Sequence, residues 1–383
     1  SLILVMGDTP RHRQALSRQH FVDTEVFEIE AFADFEQALK RAQQRLEHGL
    51  LTVLSTPTLE MPALRAVRKL AKSQQVSCVA MVLESTWREQ NLRAEGFKRL
   101  FFLAGVKAQQ IQVVREPLWC DRKHLKGPFD FIGDVHGCAR ELKQLLRALG
   151  YHSPDSKTGH QLQGPRTWTH PEGRKAFFVG DLVDRGPQNL ETLFLVRDMV
   201  NAGQALCLEG NHEAKFLRYL MGKKVQRTHG FEQTVAEIEA LSAIEQVRVK
   251  SEAKAFIEGL FPYAILDRGR VIVAHAGLKS SYHGRTSGRV RSFALYGDTT
   301  GKNDADGLPE RRDWAADYSG KSLVVYGHVP VKQAAFVNNT LDIDTGCVFG
   351  GQLTALRYPE REMVSVPAQA IYYKHAQWQS PFA

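Results

Sequence analysis

The chain has 383 residues, more than one hydrophobic core usually serves, so two domains are expected. With 43% hydrophobic and 24% charged residues it reads as a folded soluble protein. No apolar run approaches the ~20 residues of a membrane span, and the start, "SLILVMGDTP", lacks the basic flank of a signal peptide, which points to the cytoplasm and no membrane partner. The net charge of +8, 50 Lys and Arg against 42 Asp and Glu, tolerates a polyanionic partner without requiring one.

In residues 1–115 the apolar runs "LILVM", "LLTVLS" and "CVAMVL" alternate with amphipathic stretches such as "FADFEQALKRAQQRLEHG", the pattern of a small parallel α/β layer. The stretch "PLWCDRKHLK" then interrupts the periodicity, and residues 116–127 are read as a linker. From 128 to 383, strand-like runs recur: "FDFIGD", "KAFFVGD", "ALCLEGN", "VIVAHAG", "SLVVYGH" and "TLDIDTG". A polar, helix-prone stretch at 214–262 is expected to form a helical insertion. Five cysteines without CxxC spacing read as buried free thiols.

Nearly every strand in the second part ends in glycine plus a side chain able to hold a metal. "FFVGDLVDRGPQNL" places Asp181, Asp184 and Arg185 at one strand tip, where unpaired charge is costly. The other endings deliver Asp134 and His136, Asn211 and His212, His275, His328 and Asp344. Strand termini of α/β proteins converge on one crevice, so these residues point to a metal site. "YGDTTG" at 296–301 is a chance GD match, and Asp298 receives no role. His160, His170 and His283 are read as surface or packing residues.

The ordered set "GDVHG", "GDLVDRG", "GNHE", "HAG" and "GH" resembles the signature of the binuclear metallophosphoesterases related to calcineurin and the Ser/Thr protein phosphatases. The resemblance implies a calcineurin-like β-sandwich flanked by helices, and two divalent transition metals, manganese first, with Ni, Fe or Zn as alternatives. It places Asp134, His136 and Asp181 on one metal and Asp181, Asn211, His275 and His328 on the other. Asp181 bridges, and a hydroxide shared by the metals attacks phosphorus. His212 would protonate the leaving oxygen, Asp184 orient His212, and Arg185 bind two phosphoryl oxygens.

Further segments, "AHAGLKSSYHGRTSGRVRSFALYGDTTG", "RRDWAADYSGKSLVVYGHVPV" and "NNTLDIDTGCVFGGQLTALRYPE", look like the phosphatase module of bacterial polynucleotide kinase-phosphatase. That resemblance implies RNA ends as substrate, bearing 2',3'-cyclic, 2'- or 3'-phosphate, in RNA repair, with an RNA ligase supplied in trans. It also assigns Asp344 to orienting ligand or leaving group. Lys279, Arg285, Arg289 and Arg291 are expected to form a basic loop beside the metals, Arg289 and Arg291 contacting substrate with Arg185 and Asn211. A protein phosphatase or a dinucleoside polyphosphate hydrolase would share every metal residue; a non-catalytic RNA scaffold would need none.

In the same family a P-loop kinase precedes the phosphatase. Here "LILVMGDTPRHRQALSRQHF" takes the place of its first strand, phosphate loop and helix. Against G-x-x-x-x-G-K-[ST], counting from Gly7, the chain offers His12, Arg13 and Gln14 for the last Gly, the Lys and the Ser/Thr. Pro10 removes an N–H and Asp8 adds negative charge. The expectation is a degenerate kinase-like domain without kinase activity.

Overall fold

The run "LILVM" forms β1 (Leu2–Met6), buried at all five positions, as a strand covered on both faces must be. In the computed structural model, which describes residues 1–30, 34–83, 87–107, 110–153, 167–303, 309–374 and 378, β1 is the middle strand of a five-stranded sheet. After it come α1 (Pro10–His20), β2 (Val26–Glu28), α2 (Phe35–Glu47), β3 (Thr52–Thr56), α3 (Met61–Ser73), β4 (Cys78–Val82), α4 (Glu89–Ala94) and β5 (Arg99–Phe102). All neighbours pair in parallel, in the order β2-β3-β1-β4-β5. The i, i+4 apolar rows Ala38, Ala42, Leu46 of α2 and Ala63, Val67, Ala71 of α3 join Leu2, Leu4 and Leu54 in one core. His160 lies outside the described residues.

This sheet belongs to a unit made of Ser1–Leu118 and Gly284–Val290; the second unit comprises Trp119–His283 and Arg291–Ala383. In the first unit, Arg13 is only 1% exposed and turns back on the loop after β1, its Nη1 donating to the Gly7 carbonyl at 2.5 Å. Pro10 opens α1.

The second unit begins with β6 (Asp121–Arg122), β7 (Phe129–Ile132), α5 (Ala139–Ala148), β8 (Lys175–Phe178), α6 (Asn189–Asn201) and β9 (Ala205–Cys207). Three helices follow, α7 (Asn211–Leu220), α8 (Phe231–Glu239) and α9 (Ala243–Glu258). Ser242 caps α9, with Glu245 reaching back to the Ser242 N–H. Then come β10 (Tyr263–Leu266), β11 (Val271–Ala274), α10 (Gly288–Tyr296), which belongs to this unit from Arg291 onward, the ribbon β12 (Thr299–Asn303) and β13 (Pro309–Arg311), β14 (Leu323–Tyr326), β15 (Phe336–Val337), β16 (Thr340–Asp342), β17 (Gln352–Tyr358) and β18 (Glu362–Pro367).

Two sheets result, β18-β17-β7-β8-β9 and β15-β16-β14-β11-β10-β6. Strand alternation decides what lies between them. Phe129, Phe131, Phe177 and Leu356 of the first sheet meet Val271, Val273, Val325 and Leu341 of the second in a single core. The opposite face of the first sheet, through Ile132, Phe178 and Ala355, packs on the helices. Asp130, on that helix face, is fully buried but paired, with Arg174, Arg357 and Tyr151 all within 3.2 Å.

Within each sheet, three neighbouring strands run parallel: β7, β8 and β9 in one, β11, β14 and β16 in the other. Parallel strands deliver their carboxyl ends to the same edge. All the chemically loaded strand endings of the sequence follow these six strands.

Candidate metal centre

Beyond β7 lie Asp134 and His136, beyond β8 Asp181, and beyond β9 Asn211 and His212 at the start of α7; beyond β11 lies His275, beyond β14 His328, and beyond β16 Asp344. Their side chains converge on Asp181. His136 Nε2 lies 3.6 Å and His212 Nε2 3.8 Å from Asp181 Oδ2, while His275 Nε2 lies 3.3 Å from Oδ1. Two potential ligand groups share this carboxylate, His136–Asp181–His212 and Asp181–His275–His328.

Hydrogen bonds fix the imidazoles so that lone pairs point inward. His136 Nδ1 bonds the Val183 carbonyl at 2.9 Å and His275 Nδ1 the Val179 carbonyl at 3.1 Å, which reserves both Nε2 atoms for the site. His275 Nε2 also stands 2.9 Å from Asn211 Oδ1 and 3.1 Å from His328 Nδ1. Four acceptor-type atoms, including Asp181 Oδ1, therefore crowd one spot, an arrangement that only a cation or shared protons make stable. Asp134 Oδ1 and His328 Nε2 are buried without a hydrogen-bond partner. The donor set fits a pair of divalent transition metals.

Electrostatics carry the same message. Burial, then Asp344 and Asp181, push the Asp134 carboxyl well above its ordinary range. Burial also opposes ionisation of Asp181, but His275 and His212 hold it well below that range. Burial, reinforced by Arg185, keeps His136 neutral, and burial with His275 does the same for His328. Burial raises Asp344 to about 6. Burial works against a charge on His275, but Asp181 outweighs it and raises His275 above its ordinary range.

The backbone is strained where these groups sit. Of the eleven non-glycine residues with positive φ among the described residues, five are His136, Asp181, Asp184, Arg185 and His328. Each costs on the order of 1–3 kcal/mol, a cost that persists where geometry serves function. Two glycines are sterically required: a Cβ at Gly210 would fall 2.2 Å from Asp181 Oδ1, and one at Gly327 2.1 Å from Asp134 Oδ1.

Asp184 and His212 form a buried dyad. His212 Nδ1 bonds Asp184 Oδ2 at 2.6 Å, Thr234 Oγ1 donates to Asp184 Oδ1 at 2.5 Å, and His212 Nε2 is left facing the cluster. Arg185 reaches in with its Nη1 2.8 Å from His136 Nε2, its guanidinium over the Phe349 ring. Asp344 is 3% exposed, and its Oδ1 accepts the Gly346 N–H at 3.0 Å. The carboxylate therefore closes a local turn as well as lining the site.

The basic loop is not a free cationic surface. Lys279 is paired with Asp298 at 3.1 Å and Arg291 with Glu209 at 2.5 Å. Arg285 is buried, donating to the Leu46 and Glu47 carbonyls within the first unit. Arg289 is exposed and grouped with that same unit. The absence of acids between the four in sequence misled, because Glu209 and Asp298 approach from elsewhere. His170 and His283 bond the Leu149 and Leu278 carbonyls, as packing residues do.

Sequence reasoning missed Glu213. Its carboxylate, fully buried, accepts the N–H groups of Asp181 and Leu182 at 2.8 Å, Gly210 at 3.0 Å and Val183 at 3.4 Å. It thereby ties the loop after β8 to the loop after β9. The signal was present: Glu213 is the third residue of α7, in capping-box position after Gly210. Thr234, behind Asp184, had no local signal.

The calcineurin-like phosphoesterase family profile matches residues 127–355. The chain belongs to the calcineurin-like phosphoesterases. It is a hydrolase of a family that uses divalent metals, with a mixed α/β fold. Among curated relatives of this phosphoesterase, the asymmetrical bis(5'-nucleosyl)-tetraphosphatase PrpE of Anoxybacillus flavithermus is 47% identical over 244 residues, 64% of this chain and 96% of that one. The protein of the same name from a Geobacillus species is 49% identical over 243 residues, 63% of this chain and 95% of that one. A solved cold-active protein-tyrosine phosphatase from Shewanella aligns at 16% identity with TM-score 0.39, covering 66% of this chain and 83% of that one. Both PrpE proteins carry the name of a dinucleoside tetraphosphatase and not of a polynucleotide kinase-phosphatase, so the finer resemblance finds no support in them. Its quoted segments supply His275, His328, Asp344 and the strands that carry them, and a metal site of this kind does not select a substrate.

Proposed function

We propose that the phosphoesterase hydrolyses dinucleoside tetraphosphates asymmetrically, using two divalent transition metals, with manganese the first candidate. The observation that carries this reading is the 47% identity to a PrpE over 96% of that protein's length. Asp134, His136 and Asp181 would hold one cation and Asp181, Asn211, His275 and His328 the other. Cations bound there supply an acidified water and neutralise phosphoryl oxygens. Around them the protein orients the substrate: Arg185 binds the phosphoryl group under attack, and Asp344 positions its neighbours. His212, held by Asp184, carries a proton at Nε2 towards the leaving oxygen. The first unit is proposed to lack phosphotransfer, since Arg13 occupies its loop and bonds Gly7.

The test is a substrate panel with purified protein and Mn: dinucleoside tetraphosphate, RNA with 2',3'-cyclic, 2'- or 3'-phosphate ends, and phosphoserine peptide. Dinucleoside tetraphosphate should give the highest kcat/KM and unequal nucleotide products. Faster turnover of any RNA end or of the peptide would overturn the reading. Labelled ATP with 5'-hydroxyl RNA should yield no phosphate transfer.

A further inference from the structure

We propose that the cleft next to the metal-ligand cluster holds the nucleoside polyphosphate half that leaves after cleavage, its phosphate chain along α7 and its base against Tyr296; this rests on the dinucleoside reading above. The cleft, about 540 Å³, lies within the second unit and opens at Asn211, the first residue of α7 and one of the clustered site residues. That volume is the scale of a small-molecule site.

Its wall follows from helix geometry. Asn211, Lys215 and Arg218 recur at i, i+4 and i+7, so one face of α7 leads from the cluster outward over roughly 10 Å. Lys224 lies beyond the helix end and Arg291 comes from α10, making four cations around the concavity against one lining carboxylate, Glu209. Their uses differ. Lys215 donates to the Thr228 carbonyl at 2.7 Å, and Arg291 is tied to Glu209. Arg218 and Lys224 are exposed and make no ion pair among the described residues. Like charges gathered on a concave surface repel one another, and a polyanion relieves that repulsion. Tyr296, 43% exposed, adds an aromatic face to a lining that also holds the apolar Leu217, Met221 and Val225. Four cations and one aromatic ring around a single concavity suit a phosphate chain and a base, and the size suits one nucleotide better than a run of nucleic acid.

The test is inhibition of p-nitrophenyl phosphate hydrolysis by the full chain at fixed free Mn, using ATP and inorganic tripolyphosphate as probes. ATP should inhibit more tightly than tripolyphosphate. The double variant Arg218→Met, Lys224→Met should weaken both roughly tenfold, the scale of one charge-assisted contact. Tyr296→Ser should weaken ATP several-fold and leave tripolyphosphate unmoved, with Tyr296→Phe restoring ATP. Inhibition constants within twofold of the parent in the double variant, or equal shifts of both probes in Tyr296→Ser, would overturn the proposal. Dinucleoside tetraphosphate hydrolysis, followed in parallel, separates the two readings. Its absence, with the inhibition pattern intact, removes the proposed reaction alone; its presence, with unmoved inhibition, removes the cleft alone.

Discussion

Replacing Glu213 by Gln tests whether one buried carboxylate aligns the loops that carry Asp181 and Asn211. Each carboxylate oxygen accepts two N–H groups, Oε1 from Leu182 and Val183 and Oε2 from Asp181 and Gly210. A glutamine keeps one acceptor and turns an NH2 group towards the other pair of donors. A buried donor left unsatisfied costs about 1–3 kcal/mol, so two of them cost about 2–6 kcal/mol, a large part of a typical folding free energy. Burial and Asp181 raise Glu213 to about 8, while the Leu182 and Gly210 amides pull it down. Since every partner is a donor, the ionised form is the one that the geometry rewards. Denaturant unfolding of the chelated protein should report the loss, and calorimetric Mn titration should show weakened binding although Glu213 is not among the clustered donors. Stability within about 0.5 kcal/mol of the parent together with unchanged Mn affinity would refute the reasoning.

Asp181→Asn should abolish turnover and at least one Mn equivalent, because both ligand groups lose their shared anion; metal analysis of the purified variant reads this directly. His212→Asn should slow alkyl phosphates far more than p-nitrophenyl phosphate or a dinucleoside tetraphosphate, whose leaving groups need less protonation; equal slowing removes the proton-donor role. Arg174→Met removes one of the two guanidinium groups paired with the buried Asp130 and should destabilise the protein by about 1–3 kcal/mol in denaturant unfolding. Burial lowers His283 to about 4, against about 6.5 in an unfolded chain. The unfolded state therefore binds the extra proton, and stability should fall by up to about 3 kcal/mol as pH drops from 6.5 to 4. In His283→Gln that part of the slope should disappear.

The metal-bearing residues were legible because a strand, a glycine and a ligand recur as local words: "FIGDVHG" and "FFVGD" report a strand end and its cargo together. The six parallel strands that carry them, β7, β8, β9, β11, β14 and β16, match the six apolar runs read from the sequence. Partnership across the chain was not legible. Arg285 sits ten residues after His275 in sequence, yet it bonds Leu46, 239 residues away. Glu209 and Asp298 neutralise cations that look free along the sequence. Short strands such as β2, β6 and β15 carry too little periodicity to be seen, and they exist through their neighbours' pairing. Substrate was the least legible property, since metal ligation places the same demands on Asp181 and His275 whichever phosphoester is cut.

The candidate ligands come from both leaves of the sandwich: Asp134, His136, Asp181 and Asn211 follow strands of one sheet, His275 and His328 strands of the other. A cation pair bound among them acts as a rivet through the fold. Each tenfold rise in free metal above the dissociation constant then tightens the closed sandwich by about 1.4 kcal/mol for each cation bound. Metal supply thus sets the lifetime of the protein as well as its activity. Chelation should loosen the rim where the six strands end before it melts the phenylalanine core between the leaves, so amide exchange at Val135, Leu182 and Ala276 would rise first.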